Sequence, residues 1–195
     1  MLRFALILVA LMVTARAFAP TPSRVAARSS SLSMAFAGGL PGNEGPELKN
    51  FDPLKLSEKS PEWVPWFREA ELKHGRVAML AAAGFVFAEF YQLPGDIHHV
   101  SSAEAHNVFV NSGAMLQILG WIGLLELISV PALYDLRDGK RAPGDYAFDP
   151  LRLGNDPKKL AQYQIKELKN GRLAMMAISG MVTQAVQNHH SFPYM

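Results

Sequence analysis

Two ten-residue stretches of the chain combine acidic, ligand-type and basic side chains at one spacing. Each places an acid first, a His or Asn three residues later and an Arg two residues beyond that: Glu71, His74 and Arg76 in the first stretch, and Glu167, Asn170 and Arg172 in the second. Carboxylate, amide and imidazole groups can ligate metal ions, and an acid beside an arginine can form an ion pair. The residue types therefore indicate ion pairing and metal ligation as the chemistry to be positioned.

These stretches belong to a larger internal repeat. Residues 71–80 and 167–176 are identical at seven of ten positions and start 96 residues apart. A shorter motif, Phe-Asp-Pro-Leu followed by a basic residue and Leu, occupies residues 51–56 and 148–153, which start 97 residues apart. Two motifs that recur in one order at nearly one spacing indicate a duplicated structural unit.

Each stretch leads into an apolar run, over residues 77–90 and 173–186, and long helices are predicted to carry both. Successive side chains on a helix are ~100° apart, so His74 lies ~60° from Glu71 and ~160° from Arg76. Charged groups inside a membrane are costly and require partners. Such partners must come from elsewhere in the fold.

The duplication supplies those partners if the two helices cross as a pseudo-twofold pair. Glu71 can then meet Arg172, and Glu167 can meet Arg76, while each carboxylate retains lone pairs for a further ligand. The ligand-type residues of the two copies, His74 and Asn170, face away from the pairing side. Each of these side chains could supply the axial ligand of a chlorophyll magnesium. Mg²⁺ accepts oxygen and imidazole nitrogen, and the chlorophyll ring already supplies four nitrogens.

The two stretches, ELKHGR and ELKNGRLAM, resemble the first and third transmembrane helices of the light-harvesting chlorophyll-binding antenna family. The wording is similar to the chlorophyll a/c branch of red-lineage algae, and the resemblance covers roughly residues 45–195. It implies an all-α membrane protein with three transmembrane helices, of which helices one and three form the crossed pair. The implied function is light harvesting without bond chemistry, with excitation passed to a photosystem, photosystem I favoured.

The resemblance also implies pigments, partners and further ligands. The pigments are chlorophyll a, chlorophyll c and carotenoids such as fucoxanthin, alloxanthin or diadinoxanthin, and the partners are a photosystem core, other antenna subunits and thylakoid lipids. The family carries chlorophyll ligands on its middle helix at positions matching Gln117 and Glu126, and on helix three at Gln184. Chlorophyll-ligand roles stay open for four other residues, which are His106, Asn111, His189 and His190.

Residues 1–34 are predicted to be a two-part plastid presequence. Residues 1–19 resemble a secretory signal, with Arg3 before an apolar run, and residues 18–34 contain Ser, Ala and Arg but no acid, as in a transit peptide. Such a presequence resembles those used for plastids of secondary, red-algal origin. An ordinary secreted protein and an uncleaved anchor are the alternatives.

The antenna domain is predicted over residues 35–195, with helices at about 62–91, 103–130 and 157–187. Pro131 is expected to end the middle helix. Lys and Arg concentrate in the N-terminal arm and in the second connection, and are absent from the first connection and the tail. The positive-inside rule therefore predicts a stromal arm and a lumenal C-terminal tail in the thylakoid membrane.

Composition excludes several other classes. The chain has no cysteine, which excludes disulfides and thiolate metal sites. Without the four arginines of the presequence, 15 basic residues face 17 acidic ones, so a nucleic-acid surface is not predicted. No catalytic motif appears. Two alternative functions remain, a photoprotective quencher of the same superfamily and a pigment-free transporter.

Overall fold

The computed structural model describes residues 36–42, 50–92, 94–95 and 98–188. The predicted presequence, at residues 1–34, and the candidate ligands His189 and His190 lie outside the described residues. Within the described ranges the chain contains helices and turns and no strand. The predicted all-helical character is therefore confirmed for this part of the chain.

The described residues form five α-helices and three 3-10 segments of three or four residues, which are joined by turns. The helices are α1 (Leu56–Lys59), α2 (Val64–Phe90), α3 (Ser102–Asn111), α4 (Ala114–Arg137) and α5 (Pro157–Asn188), and the 3-10 segments are Phe36–Gly39, Pro61–Trp63 and Leu153–Asn155. α2 and α5 carry the two copies of the repeat and agree with the predicted helices within two residues at each end. Pro65 near the start of α2 and Pro157 at the start of α5 suit a helical first turn, where no partner for the N–H is needed.

α2 and α5 form the most extensive helix–helix contact, and two glycines lie where they cross. A Cβ added to Gly75 would lie 3.0 Å from the Cα of Gly171, and the reverse distance is also 3.0 Å. Both glycines are buried. Small residues at a helix crossing let the two backbones approach closely, which brings the flanking side chains within reach of each other.

The prediction of one helix over residues 103–130 is wrong at two points. The chain forms α3 and α4 instead, because Gly113 adopts a left-handed conformation (φ +79°) and its N–H bonds to the carbonyl of Val110. A left-handed glycine of this kind ends a helix without steric cost. Ser112 closes the same turn through its own N–H to the carbonyl of Val108.

The second error concerns Pro131, which lies inside α4 and does not end it. Proline fixes φ near the helical value, so a helix can continue through it, at a cost of ~3 kcal/mol for the lost hydrogen bond and the crowding of the carbonyl four residues earlier. Apolar surroundings tolerate such a proline when nearby groups satisfy the backbone. Glu126, predicted near the end of a helix, therefore lies in the middle of α4, twelve residues after Ala114 and eleven before Arg137.

The two short motifs of the repeat form matching turns before α2 and α5. Asp52 accepts hydrogen bonds from the backbone N–H groups of Leu56 and Ser57, and Asp149 accepts them from Leu153 and Gly154. The basic residue of each motif has positive φ, +54° in the first copy and +52° in the second. The duplicated sequence therefore produces duplicated backbone geometry.

The described part of the chain has almost no apolar core. Its buried hydrophobic residues are Ala78, Leu136, Leu168 and Ala185, whereas large apolar side chains are exposed along all the long helices. By length and composition one described helix, α4, could cross a membrane. Continuous exposed apolar surface of this extent marks contact with lipid, large ligands or partner proteins.

Candidate functional site

Two reciprocal ion pairs join α2 and α5 beside the glycine crossing. Arg172 Nε donates to Glu71 Oε1 at 2.7 Å, and Arg76 Nε donates to Glu167 Oε1 at 2.6 Å. All four side chains are about one-third exposed. The structure therefore brings together the two acids and the two arginines that the repeat paired.

Each arginine of these pairs also binds the backbone carbonyl of a glycine, which lies before α5 for Arg76 and before α2 for Arg172. Arg76 Nη2 donates to the carbonyl of Gly144 at 2.9 Å, and Arg172 Nη1 donates to the carbonyl of Gly42 at 3.2 Å. Both glycines have positive φ, and a Cβ on either would lie within 2.5 Å of a leucine side chain. Positive φ favours glycine at both positions, and a side chain there would require the neighbouring leucine to move.

The two carboxylates are not equally neutralised. Arg68 Nη1 lies 3.0 Å from Glu71 Oε2, so Glu71 contacts two guanidinium groups. The residue corresponding to Arg68 in the second copy is Gln164. Among the described residues, no hydrogen bond or ion pair reaches the Oε2 atom of Glu167, which leaves one oxygen of that carboxylate open to a ligand.

Another acid of α2, Glu69, forms a cluster that was not predicted from the sequence. Glu69 is only 2% exposed, and it accepts hydrogen bonds from the Gly144 N–H at 2.6 Å and from the Tyr146 hydroxyl, with Arg141 Nη2 at 3.1 Å. The corresponding residue of the second copy is Ile165. The repeat does not predict this cluster, because only the first copy has an acid at this position. That difference between the copies is the sequence signal that could have indicated it.

Tyr146 remains a hydrogen-bond donor to this cluster at any physiological pH. Burial, its hydrogen bond to Glu69 and the charge of Glu69 raise the pKa of Tyr146 to about 12. The guanidinium of Arg141 lies over the same ring, 4.7 Å from its centroid. The cluster fixes the turn that holds the Gly144 carbonyl, and through it the position of Arg76.

His74 is exposed on the outer side of α2 with one ring nitrogen free for a metal. Its Nδ1 lies 2.7 Å from the carbonyl oxygen of Ala70. A carbonyl oxygen can only accept a hydrogen bond, so Nδ1 carries the proton and Nε2 carries the lone pair in the neutral ring. A histidine that ligates a metal usually donates a hydrogen bond from its other ring nitrogen, which fixes the tautomer.

Three neutral amides of the predicted ligand set are also exposed: Asn170 and Gln184 on α5, and Gln117 on α4. Asn170 and Gln184 are 14 residues apart, which places them on one face ~21 Å apart along the helix. Gln117 lies in the first turn of α4 and not in mid-helix, because α4 begins at Ala114. The amide oxygens can therefore be reached from outside the protein.

Glu126, the remaining predicted ligand, contacts α2. Lys73 Nζ donates to Glu126 Oε2 at 2.5 Å, and the two side chains are 28% and 59% exposed. Sequence reasoning did not find this partner, because Lys73 and Glu126 belong to different helices and no motif relates them. Of the residues left open, His106 contacts Asn107 and Asn111 is the last residue of α3.

The donor set fits chlorophyll magnesium by its chemistry. Mg²⁺ is a hard ion that takes carboxylate and amide oxygens and accepts imidazole nitrogen, and a chlorophyll ring requires one axial donor. In the described ranges no group of three or more His, Asp or Glu residues converges on a point that could hold a metal ion. Single donors, each on an exposed helix face bordered by apolar side chains, are the arrangement that a tetrapyrrole-binding helical protein requires.

The chain belongs to the chlorophyll a/b-binding protein family. Residues 34–186 match the family described as Chlorophyll A-B binding protein. The chain is 37% identical to a fucoxanthin-chlorophyll a-c binding protein of Chattonella marina var. antiqua over 82% of this chain and 76% of that protein. It is similar, at 37% identity over 88% of this chain and 71% of the relative, to light-harvesting complex stress-related protein 1 of Chlamydomonas reinhardtii.

A third relative, photosystem I chlorophyll a/b-binding protein 5 of Arabidopsis thaliana, is 32% identical over 78% of this chain and 66% of its own length. All three relatives are chloroplastic by name. These similarities confirm the resemblance stated from the repeat motifs. The chain is a member of a family of chlorophyll-binding, light-harvesting proteins rather than of an enzyme family.

Proposed function

We propose that this protein is a three-span thylakoid antenna that binds chlorophylls and carotenoids and passes excitation energy to a photosystem. The observation that carries the proposal is the division of polar groups between two sides of the helices. The charges of α2 and α5 are paired at the crossing, while His74, Asn170 and Gln184 are exposed on outer faces. Bound chlorophyll supplies light absorption and the excited state, and the protein fixes the distance and orientation of each ring.

The proposed magnesium ligands are Glu71, His74, Gln117, Glu126, Glu167, Asn170 and Gln184. Arg76 and Arg172 neutralise the two carboxylates at the crossing and hold one oxygen of each. A carboxylate has lone pairs for both an arginine and a metal, so pairing and ligation are compatible. The second oxygen of Glu167 is the more open of the two, because Arg68 also contacts Glu71.

The ion pairs also support the proposal that α2 and α5 span the membrane beside α4. α2 has 27 residues and α5 has 32, so they measure ~40 Å and ~48 Å, against a hydrocarbon layer of ~30 Å. Paired acids and arginines cost far less in this layer than isolated charges. The segments before α2 and α5 would face the stroma, and the connection between α2 and α3 would face the lumen.

The printed names of the relatives support the pigments and partners. Fucoxanthin-chlorophyll a-c binding proteins among them favour chlorophyll a, chlorophyll c and a xanthophyll such as fucoxanthin, alloxanthin or diadinoxanthin. Photosystem I chlorophyll a/b-binding relatives favour photosystem I as the acceptor of excitation. The chloroplastic relatives also support a plastid location, and the presequence predicted over residues 1–34 favours a plastid of secondary, red-algal origin.

Purification of the protein with its pigments tests the proposal. The expected preparation contains chlorophyll and carotenoid at fixed ratios, and light absorbed by the carotenoid or by chlorophyll c produces fluorescence from chlorophyll a. A folded but colourless protein would contradict the proposal and would favour the transporter alternative.

A second candidate is a photoprotective quencher, and the similarity to stress-related light-harvesting proteins of Chlamydomonas reinhardtii favours it. The two functions differ in what happens to the excited state. An antenna keeps a long chlorophyll fluorescence lifetime at both pH 7 and pH 5, whereas a quencher triggered by lumenal acid shortens the lifetime at pH 5. A much shorter fluorescence lifetime at pH 5 than at pH 7 would favour the quencher over the antenna.

A further inference from the structure

The contact between Lys73 and Glu126 carries an inference about how one of the proposed ligands is held. Glu126 is in the middle of α4, the helix whose length and composition suit a membrane span. Lys73 reaches it from α2, with Nζ 2.5 Å from Oε2. Glu126 therefore has a cationic partner on another helix.

A carboxylate at this depth needs a cation if it is to act as a metal ligand. A charged side chain inside a membrane is costly and requires a partner. A lysine that contacts one oxygen supplies the opposite charge and leaves the other oxygen available. Among the described residues, no hydrogen bond or ion pair reaches the Oε1 atom of Glu126.

A cation from another helix also holds one oxygen of each of the other two proposed carboxylate ligands, although the second oxygen of Glu71 contacts Arg68. Each of the three acids has one oxygen held by a cation from a different helix, at 2.5–2.7 Å: Glu71 by Arg172, Glu167 by Arg76, and Glu126 by Lys73. The first two pairs follow from the internal repeat, and the third does not. The Lys73–Glu126 pair is therefore an occurrence of this geometry that does not depend on the repeat.

We propose that Lys73 is the positioning residue for Glu126: it neutralises the carboxylate, holds Oε2 and leaves Oε1 as the axial ligand of a chlorophyll magnesium. The inference rests on the proposed function. Lys73 itself does not touch the metal. Outer partners of this kind typically change metal affinity by roughly 10–100-fold when they are removed.

The second copy of the repeat supplies a matched control. Lys169 corresponds to Lys73, is exposed on α5 and forms no ion pair within the described residues. Replacing Lys169 removes the same charge from the same repeat position without touching Glu126. Differences between the two lysine variants therefore report on the contact with Glu126.

The experiment compares five variants purified with their pigments from a photosynthetic host: K73Q, K73R, K169Q, E126Q and the double variant K73Q/E126Q. The readouts are the chlorophyll content per polypeptide and the low-temperature absorption difference from the wild type. K73Q is expected to lose the single chlorophyll band held at Glu126, with ligation weakened roughly 10–100-fold. K73R and K169Q are expected to retain the band.

The double variant separates a positioning role from a purely structural one. A glutamine at position 126 is a neutral ligand that needs no cation, so K73Q/E126Q should retain more of the band than K73Q does. If K73Q does not accumulate but the double variant does, the unpaired carboxylate is the cause and the inference stands. If neither accumulates, Lys73 is needed independently of Glu126 and the inference is overturned.

Two further outcomes would also overturn it, without touching the antenna function. One is a K73Q protein with the full wild-type band. The other is a K73Q/E126Q protein that retains no more of the band than K73Q does. A colourless wild-type protein would instead refute the proposed function, so failure of the two proposals can be told apart.

Discussion

The two copies of the internal repeat share a framework and differ in what they present outward. The shared parts are an acid paired with the arginine of the other copy, a glycine at the crossing, an arginine bound to a glycine carbonyl, and an aspartate that organises the preceding turn. The different parts are single side chains: His74 corresponds to Asn170, Ala88 to Gln184, Glu69 to Ile165 and Arg68 to Gln164.

This comparison assigns two kinds of role. The paired acids and arginines and the two crossing glycines, which are kept in both copies, make contacts between the copies, so a change at one damages the shared crossing. Positions that differ are exposed donors such as His74 and Gln184, or contacts of one copy alone, such as Glu69 with Tyr146. Each pigment site can therefore vary without disturbing the crossing, which is how a duplicated helix pair can support an asymmetric set of ligands.

The largest effect is expected from breaking the ion pairs, and the two arginines should not be equivalent. R76L leaves Glu167 without a cation, and an unpaired charge within the proposed membrane span costs roughly 3 kcal/mol. R172L leaves Glu71 in contact with Arg68, 3.0 Å away, so its cost should be smaller. The measurement is the temperature at which each variant loses its pigment circular dichroism.

The matched test of this asymmetry is the double variant R68L/R172L, which should fall to the level of R76L. Equal destabilisation by R76L and R172L would mean that Arg68 does not stabilise Glu71. The proposed difference between the copies, in which Glu71 alone has a second stabilising arginine, would then be wrong.

The next effect concerns the glycine crossing. G75A and G171A each place a Cβ 3.0 Å from a backbone atom of the facing helix, and overpacking of this kind costs roughly 1–3 kcal/mol. The control glycines of the same two helices are Gly84 and Gly180, where a Cβ would meet nothing within 4 Å. G84A and G180A should leave thermal stability unchanged or improve it, because Ala favours helix over Gly by ~1 kcal/mol. A larger loss in the control variants would contradict the assigned crossing.

A smaller effect is expected at the exposed donors. H74L and N170L should each lose about one chlorophyll while the thermal transition of the helix pair remains, because neither side chain takes part in the crossing and each ring takes one axial donor. The exchanged variants H74N and N170H should retain the pigments, since both residue types supply a suitable axial atom. Pigment analysis of all four variants checks the prediction, and an H74L protein with a complete pigment set would remove His74 from the ligands.

The smallest effect is expected from the two turn-forming aspartates. Hydrogen bonds hold the pKa of each carboxyl below the usual 3.8, with the Ser57 side chain as the largest cause at Asp52 and the Gly154 N–H at Asp149. A lowered pKa in the folded state stabilises the turns above the usual carboxyl pKa, and this contribution is lost as the pH falls through the lowered values. D52N and D149N should therefore increase proteolysis of these turns at neutral pH, and S57A should affect only the first.

The repeat allowed the crossed pair to be predicted because both partners of each contact lie in recognisable motifs. The contacts that sequence could not predict join residues without such a relation. Lys73 meets Glu126, and Glu69 meets Tyr146, only after α4 and the following turn have folded against α2. Nothing in the local sequence fixes these distances.

The middle of the chain was predicted less well, because local signals compete there. Pro131 is a strong helix-ending signal in sequence, yet α4 continues through it to Arg137. Gly113 is a weak helix-ending signal in sequence, yet it ends α3. It does so because it adopts a left-handed conformation, which glycine permits but does not require. The break before α4 and its continuation beyond residue 131 therefore became visible only in the structure.

A density map of the pigment-loaded protein tests the central claim most directly. We expect α2 and α5 to cross at Gly75 and Gly171 with both acid–arginine contacts in place, and a tetrapyrrole to lie against the Nε2 atom of His74 and the side-chain oxygen of Asn170. Helices that lie apart, or His74 and Asn170 side chains that contact only lipid, would contradict the account.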